Sequence, residues 1–484
     1  MKKIKGKQIL LLVLVCYLLL ALGFYLIAGE QLHVRNEQSD MLTPAMPIGE
    51  ITQDTVISQR VTARCDEITG VTLRLSTYAR ENDATLCLTL KGEAGEILAV
   101  AELSMEEIED NSDCTVYFTK EVPAREGQAF YLELTSPNGA HGNTVSAWWG
   151  NTLSTARVEV KQDIPAEDLV VVNGVPQNGA LCFRLHERNY LLAGQAYWYV
   201  AAALGLLLLG YGVYLLNAQK KGKSCLPLRL AAAFRRYGFL MRQLIARDFK
   251  TKYKRSVLGV FWSFLNPLLT MLVQYIVFST LFKTDIPNFA LYLLTGIVCF
   301  NFFNESSTMA LQSIVGNATL ITKVYVPKYI YPVSRVLSST INLLLSMIPL
   351  LAVMLLTGTP VRPAILLLPF GIICLLFLCV GMGLLLSTLM VFFRDTQFLW
   401  GVLSMLWMYA TPIFYPESII PGVLMPLYKC NPLYHIIRFL RIVLMDGISP
   451  EPKAYLLCLV ASVVPLVIGA VVFKKYQDRF VLNL

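Results

Sequence analysis

The side chains that most often do chemistry are sparse in this chain. Four histidines, His33, His141, His186 and His435, stand far apart, and no HExxH, CxxC or GxxxxGK[ST] pattern occurs. The Gly-Lys-Ser at residues 222–224 has Asn217 where a phosphate-binding loop needs its first glycine. A zinc site, a thiol redox site and a nucleotide site are therefore unsupported, and no catalytic residue, metal or directly bound cofactor is expected. What remains is charge set against aromatic rings. Residues 244–269, LIARDFKTKYKRSVLGVFWSFLNPLL, run Arg247, Lys250, Lys252, Lys254 and Arg255 straight into Phe261, Trp262 and Phe264. Upstream, Arg235, Arg236 and Arg242 interleave with Phe234, Phe239, Leu240, Leu244, Ile245 and Phe249 at roughly helical spacing. A basic amphipathic helix of this kind lies in a membrane interface, with its cations near anionic head groups and its apolar face in the acyl boundary.

Such a helix needs a membrane, and the composition supplies one. The 484 residues are 55% hydrophobic and 15% charged, against about 25% charged in a soluble domain. Apolar runs near 9–28, 196–217, 268–282, 289–311, 333–357, 365–393, 398–410 and 455–473 predict about eight spans. Lys2, Lys3, Lys5 and Lys7 precede the first, and Lys220, Lys221 and Lys223 follow the second. The positive-inside rule makes both ends cytoplasmic and puts the segment between them outside. The first apolar run exceeds a signal-peptide core of about 7 to 15 residues, so an uncleaved anchor is expected.

The charge is divided the same way. Residues 29–194 hold 25 of the 33 acidic and 12 of the 41 basic residues, a local net charge of −13, leaving +21 for the rest. The total of +8 is thus an acidic insert added to a basic membrane body, and no nucleic-acid partner is expected. Within the insert, 71–80, 84–92, 114–120, 129–136 and 144–150 alternate apolar with polar residues between Gly, Asn, Asp and Pro turns. This predicts an extracellular all-β sandwich or jelly roll. Trp148 and Trp149 are candidates to stack on a sugar face, beside the plainer role of core residues. Cys65, Cys87, Cys114 and Cys182 admit two disulfides in three connectivities, among which the sequence does not choose; Cys87 faces away from Leu86, Leu88 and Leu90.

Two features sit at membrane depth. Glu305 is an ionisable residue inside a span. It reads first as a polar anchor bonded to Asn304, Ser306 or a neighbouring helix, and second as a channel wall or proton-sensitive gate. After Ala410, Pro412, Pro416, Pro421, Pro426 and Pro432 interrupt a stretch that stays apolar, and such backbone must be buried in protein or line a wet cavity.

The order of residues also resembles a family. RDFKTKYKRSVLGVFWSFLNPLL, FFNESS (302–307), NATLITKVYVPKYIYPVSRV (317–336), VFFRD (391–395), TPIFYP (411–416) and NPLYHIIRFLR (431–441) are similar, in that order, to the permease subunits of type-2 ABC exporters for cell-surface polysaccharide, O-antigen or teichoic acid. The resemblance covers about 235–484; the first two spans and the insert are additions to it.

The resemblance implies a homodimeric permease without a catalytic site, paired with two copies of an ATP-binding cassette subunit that carries ATP and Mg. Its substrate would be a lipid-linked glycan. Asn317, Leu320, Lys323, Tyr325 and Pro327 match a coupling helix that docks on the ATPase; an exposed apolar cytoplasmic loop is also what a docking site looks like. Arg247, Lys250, Lys252, Lys254 and Arg255 would meet a phosphate head group. Phe261, Trp262 and Phe264 would line the entrance, and Tyr409, Phe414 and Tyr415 the exit. The expected parts are an anchor (1–28), an extracellular domain (29–194), a second span (195–218), a linker with the interface or gate helix (219–256) and a six-span permease (257–484). The last part would hold the coupling helix near 314–332 and a re-entrant exit segment near 411–446. The alternatives are a membrane-anchored carbohydrate sensor and a type-2 exporter of a drug or small lipid.

Overall fold

The computed structural model describes residues 6–155, 158–161, 164–221, 226–253, 258–282, 288–323, 326–417 and 420–484. They form two compact units, His33–Gln195 and the pair of segments before and after it.

The first unit is all β. Its strands in chain order are β1 (Val34–Gln38), β2 (Met46–Pro47), β3 (Ile57–Thr62), β4 (Glu67–Ser76), β5 (Thr85–Lys91), β6 (Ile97–Ser104), β7 (Ser112–Pro123) and β8 (Ala129–Thr135). There follow β9 (Ser146–Gly150), β10 (Thr152–Thr155), β11 (Val158–Lys161), β12 (Val171–Val172), β13 (Val175–Pro176), β14 (Ala180–Leu181) and β15 (Phe183–Tyr190). One sheet runs β1-β15-β4-β9-β14 with β2 on β9 and β7 on β4, a second runs β13-β12-β3-β8-β5-β6, and β10 and β11 form a two-stranded sheet of their own. Every pairing is antiparallel.

Alternation explains the core. Leu86, Leu88 and Leu90 of β5 are fully buried and their odd-numbered neighbours are not, so one face meets Val71, Leu73 and Leu75 of β4 and Leu132 and Leu134 of β8 in a single cluster. Cys65, Cys87, Cys114 and Cys182 are free thiols. In the first sheet Phe183 pairs with Leu73, and Leu73 with Cys114. A strand thus separates Cys114 from the Cys182 end of β15, roughly 10 Å at two strand spacings, beyond the reach of a disulfide.

The second unit is helical: α1 (Gly6–His33), α2 (Leu192–Lys220), α3 (Leu226–Tyr253), α4 (Trp262–Phe282), α5 (Phe289–Leu311), α6 (Ala318–Lys323) and α7 (Ile330–Leu356). These are followed by α8 (Leu368–Phe392), α9 (Thr396–Tyr409), α10 (Met425–Lys429), α11 (Pro432–Arg441), α12 (Pro452–Tyr476) and α13 (Phe480–Asn483). Among the described residues, seven helices are long and apolar enough to cross a membrane. The eighth expected span, at 398–410, is α9, whose 14 residues reach about 21 Å at 1.5 Å per residue, short of a bilayer core of about 30 Å.

The helices pack where side chains are small. A Cβ on Gly469 of α12 would lie 2.1 Å from the Gly381 carbonyl oxygen of α8, and one on Gly381 would lie 2.4 Å from the Leu466 amide nitrogen. Backbone therefore meets backbone, the close approach that glycine allows in membrane helices. Because neither atom can swing away, Gly469→Val is expected to cost about 3 kcal/mol, the upper end for overpacking. A thermal melt of the purified protein in detergent measures it, and an unchanged midpoint would mean that the two helices do not cross here.

Candidate functional site

The amphipathic helix is α3, and two of its cations, Arg247 and Lys252, are tied down by acids. Asp248, an acid inside the basic run, has its side chain 3% exposed and receives Arg335 Nη1 of α7 at 3.2 Å and Arg247 Nη2 at 3.0 Å. Arg247 also reaches Asn317 Oδ1 at 3.5 Å, next to α6. One turn on, Lys252 Nζ lies 2.8 Å from Glu305 Oε1 of α5, which also accepts Asn342 Nδ2 of α7 at 2.7 Å. The anchor reading of Glu305 thus finds its partners on neighbouring helices, while the Ser306 hydroxyl donates to the Phe303 carbonyl of its own helix. A charge at this depth persists because it is paired and hydrogen-bonded.

Two cavities share Lys252 and Glu305. One, of about 370 Å³, is bordered by Trp262, Asn266 and Pro267 of α4 and by Asn301, Glu305 and Asn342. The other, of about 560 Å³, is bordered by Arg247, Asp248, Lys252, Glu305, Asn317 and Arg335. Together they form a polar recess from α3 into the bundle. Trp262 borders the first of the two cavities, Phe261 and Phe264 stack at 6.1 Å, and Phe261 and Trp262 are exposed. The structure therefore places Lys252 with Trp262 at one cavity and with Arg247 at the other, and leaves Lys250 exposed; Lys254 and Arg255 lie outside the described residues.

The coupling-like segment divides in the same way. Asn317 is buried and donates from Nδ2 to the Ser313 carbonyl at 2.7 Å. Leu320 and Lys323 of α6 are exposed, and Tyr325 lies outside the described residues. Pro327 borders a largely apolar cavity of about 510 Å³ with Val326, Tyr329, Leu384 and Phe473. Lys328 Nζ donates to the Gln477 carbonyl at 2.6 Å, so the end of α12 holds this segment from behind.

The proline-broken stretch is pinned from within. Arg441, at the end of α11 and 7% exposed, donates from Nη1 to the Pro412 carbonyl at 2.6 Å and from Nη2 to the carbonyls of Ile413 and Tyr292 at 3.1 and 3.2 Å. Its guanidinium lies 3.4 Å from the centre of the Tyr292 ring. Gly296 makes the room, since a Cβ there would meet Arg441 Nη2 and Ile413 Cγ2 at 2.9 Å. Asn431 adds a second tie: its Oδ1 accepts from Trp407 Nε1 at 2.9 Å and from the Leu433 amide at 3.0 Å, and its Nδ2 donates to Thr411 Oγ1 at 2.8 Å. Of the three expected exit rings, Tyr409 is exposed, Tyr415 donates to the Tyr409 carbonyl at 2.7 Å, and Phe414 is buried and stacks on Phe278 at 5.4 Å.

In the β unit, Trp148 and Trp149 are adjacent on β9 and so point to opposite faces. Trp148 Nε1 donates to Asn111 Oδ1 at 3.1 Å, and the Trp149 ring closes over Gly179, where a Cβ would come within 2.3 Å of it. Sequence reasoning passed over Asp248, Arg335 and Arg441. The legible signal was their type: an acid within a basic run, and arginines within apolar ones.

Comparison with known proteins matches this helical unit. The ABC-2 type transporter family model matches residues 240–445. The O-antigen export system permease protein RfbA of Klebsiella pneumoniae is 31% identical over 249 residues, 50% of this chain and 95% of that protein. RfbA of Myxococcus xanthus is 28% identical over 255 residues, 52% of this chain and 98% of that protein. The polysialic acid transport protein KpsM of Escherichia coli is 23% identical over 238 residues, 49% of this chain and 92% of that protein. With nearly the whole of a 31% identical permease contained in it, this chain belongs to the ABC-2 type transporter family of multi-pass membrane permeases.

Proposed function

We propose that the chain is the permease subunit of an ATP-driven exporter that carries a lipid-linked polysaccharide across the cytoplasmic membrane, as a homodimer with two copies of a separate ATP-binding subunit. Residues 29–194 would stand on the outer side, between two spans that begin and end in the cytoplasm. The observation that carries the reading is that O-antigen export permeases align over 95% and 98% of their length. The recess supports it physically. Lys252 is held by Glu305 under exposed rings, so a phosphate head group entering there competes with a carboxylate for the same ammonium, while sugar C–H faces slide past Phe261 and Trp262. Force would arrive through α6, beside the residue that Arg247 touches, and α3 would move with α7 because Asp248 ties them.

Co-expression with ATP-binding cassette subunits from the same genome, followed by affinity purification, tests this. A stable complex is expected, and Leu320→Asp, which puts a charge on an exposed apolar side chain of α6, should lower ATPase retention about tenfold, or roughly 1.4 kcal/mol. Failure of the wild-type chain to retain the ATPase would overturn the proposal.

A further inference from the structure

One largely buried carboxylate in the β unit faces a cleft without a protein partner among the described residues. Glu187 of β15 is 8% exposed, yet among the described residues it has no hydrogen-bond or ion-pair partner. It lies on the same face of β15 as Phe183 and Leu185, just past a register shift between His186 and Glu187 in the pairing with β4. The extra residue there is Thr69 of β4, so β15 keeps its alternation past the bulge. Directly across the edge pairing stands Glu37 of β1, a like charge opposite a like charge. Burial raises the Glu187 carboxyl above the ordinary carboxylate range, Glu37 adds to the rise, and Arg64 opposes it. A fold selected only for stability would hold an apolar residue here, beside Leu185 and Leu181.

The space in front of it is a cleft between the two sheets. On β3, β12 covers only Ile57 and Ser58, so β3 beyond Ser58 is an edge open to the cleft that it shares with residues of β1 and β15. The cleft holds about 880 Å³ and is bordered by Glu187, Glu37, Gln59, Arg60, Arg64 and Phe183, among others. Arg60 is fixed by Asp168 at 3.0 Å and Glu167 at 3.2 Å, and Gln59 by the Leu181 amide at 2.7 Å. The walls are therefore rigid and carry carboxylate, guanidinium and amide groups together, with a half-buried aromatic ring among them. The volume is that of an ordinary small-ligand site.

We infer that this cleft binds one or more sugar residues of a glycan, with hydroxyl groups donating to the buried Glu187 carboxylate and the sugar's C–H face resting against Phe183. A neutral hydroxyl satisfies a buried carboxylate without bringing a second charge out of water, and vicinal hydroxyls offer a donor to each of its oxygens. Arg64, exposed at the rim, donates to ring or hydroxyl oxygens from the other side. The inference rests on the exporter reading for its choice of polymer, and it places a glycan contact away from Trp148 and Trp149.

The test uses the full-length chain in detergent. The probe is a set of oligosaccharides of two to six sugars, made by partial hydrolysis of the surface polysaccharide of the source cell, with binding followed by calorimetry. Wild type is expected to bind, with Glu187→Gln at least tenfold weaker and Arg64→Gln weaker by a smaller factor. Because a carboxyl with a raised folded-state pKa weakens the fold as pH rises through that value, Glu187→Gln should melt at or above the wild-type temperature at pH 7, which separates lost binding from lost folding. Equal binding by Glu187→Gln, no oligosaccharide binding by wild type, or binding of calcium alone would each overturn the assignment. Surface polysaccharide is scored in the same cells. Export without oligosaccharide binding sinks the cleft and leaves the exporter reading standing, whereas binding without export supports the cleft and sinks the exporter reading.

Discussion

Asp248→Ala is expected to lower the thermal midpoint of the purified permease by several degrees and to abolish export. The Asp248 side chain is 3% exposed and stands between two guanidinium groups, of which Arg335 is itself three-quarters buried. Removing one member of a buried ion pair strands the other, at a cost of about 3–5 kcal/mol. The lost contact joins α3 to α7, so α3 would be left to Lys252–Glu305 and to its apolar contacts through Met241 and Leu244. Limited proteolysis reports this directly, because trypsin should cut at Arg247 and Lys250 in the variant before it cuts there in the wild type. The double variant Asp248→Leu with Arg335→Leu should regain most of the stability, since an apolar pair can replace a buried ionic one, and should still fail to export. A single Asp248→Ala variant that melts and digests like the wild type would show that the ion pair does not hold the helix.

Arg441→Met should be nearly as damaging, for a different reason. Here no acid is stranded; the Ile413 carbonyl loses its charged donor, and the Pro412 carbonyl is left with the Tyr292 hydroxyl at 3.3 Å. Hydrogen bonds from a charged donor contribute about 1.5–3 kcal/mol each, and the Pro412 and Ile413 carbonyls lie in a proline-bounded turn, with no helical amide to take the place of Arg441. Arg441→Lys keeps the charge and loses the fork, because one ammonium cannot serve the Pro412, Ile413 and Tyr292 carbonyls in the same plane. The expected order of thermal midpoints is wild type, then Lys, then Met, with the yield of monodisperse protein following it. Lys equal to wild type would mean that charge alone holds the segment.

Both arguments depend on long-range pairs, and this marks what could be seen in the sequence. Period and composition are local, so the long apolar helices, the amphipathic α3 and the strands with clean alternation were legible. The expected 84–92 and 129–136 are β5 and β8 almost to the residue. β15 was not legible, because Arg184, His186, Glu187 and Arg188 hide its inward Phe183 and Leu185. β6 was hidden by the opposite fault, an apolar run of Ile97 to Ala101 without alternation. Within the candidate site, residue types were visible and partners were not. Nothing local says that Lys252 will meet Glu305, 53 positions on, or that Asp248 will meet Arg335. The cations near Arg247 therefore read as free for a head group, where the folded chain already pairs two of them.

The β unit begins and ends on neighbouring strands, Val34 beside Tyr190, and the helices that continue from them are bonded to each other, Tyr17 to the Ala201 carbonyl at 2.7 Å and Tyr197 to the Ala21 carbonyl at 2.6 Å. A segment so entered and left is a cassette. Its two ends span little more than one strand spacing, about 5 Å, so a short turn could close the helical hairpin in its place, and another module with adjacent termini could be spliced there without redesigning the permease. Insertion needs only that doorway, and the same doorway is open to an engineer who wants a different module joined to the same helices.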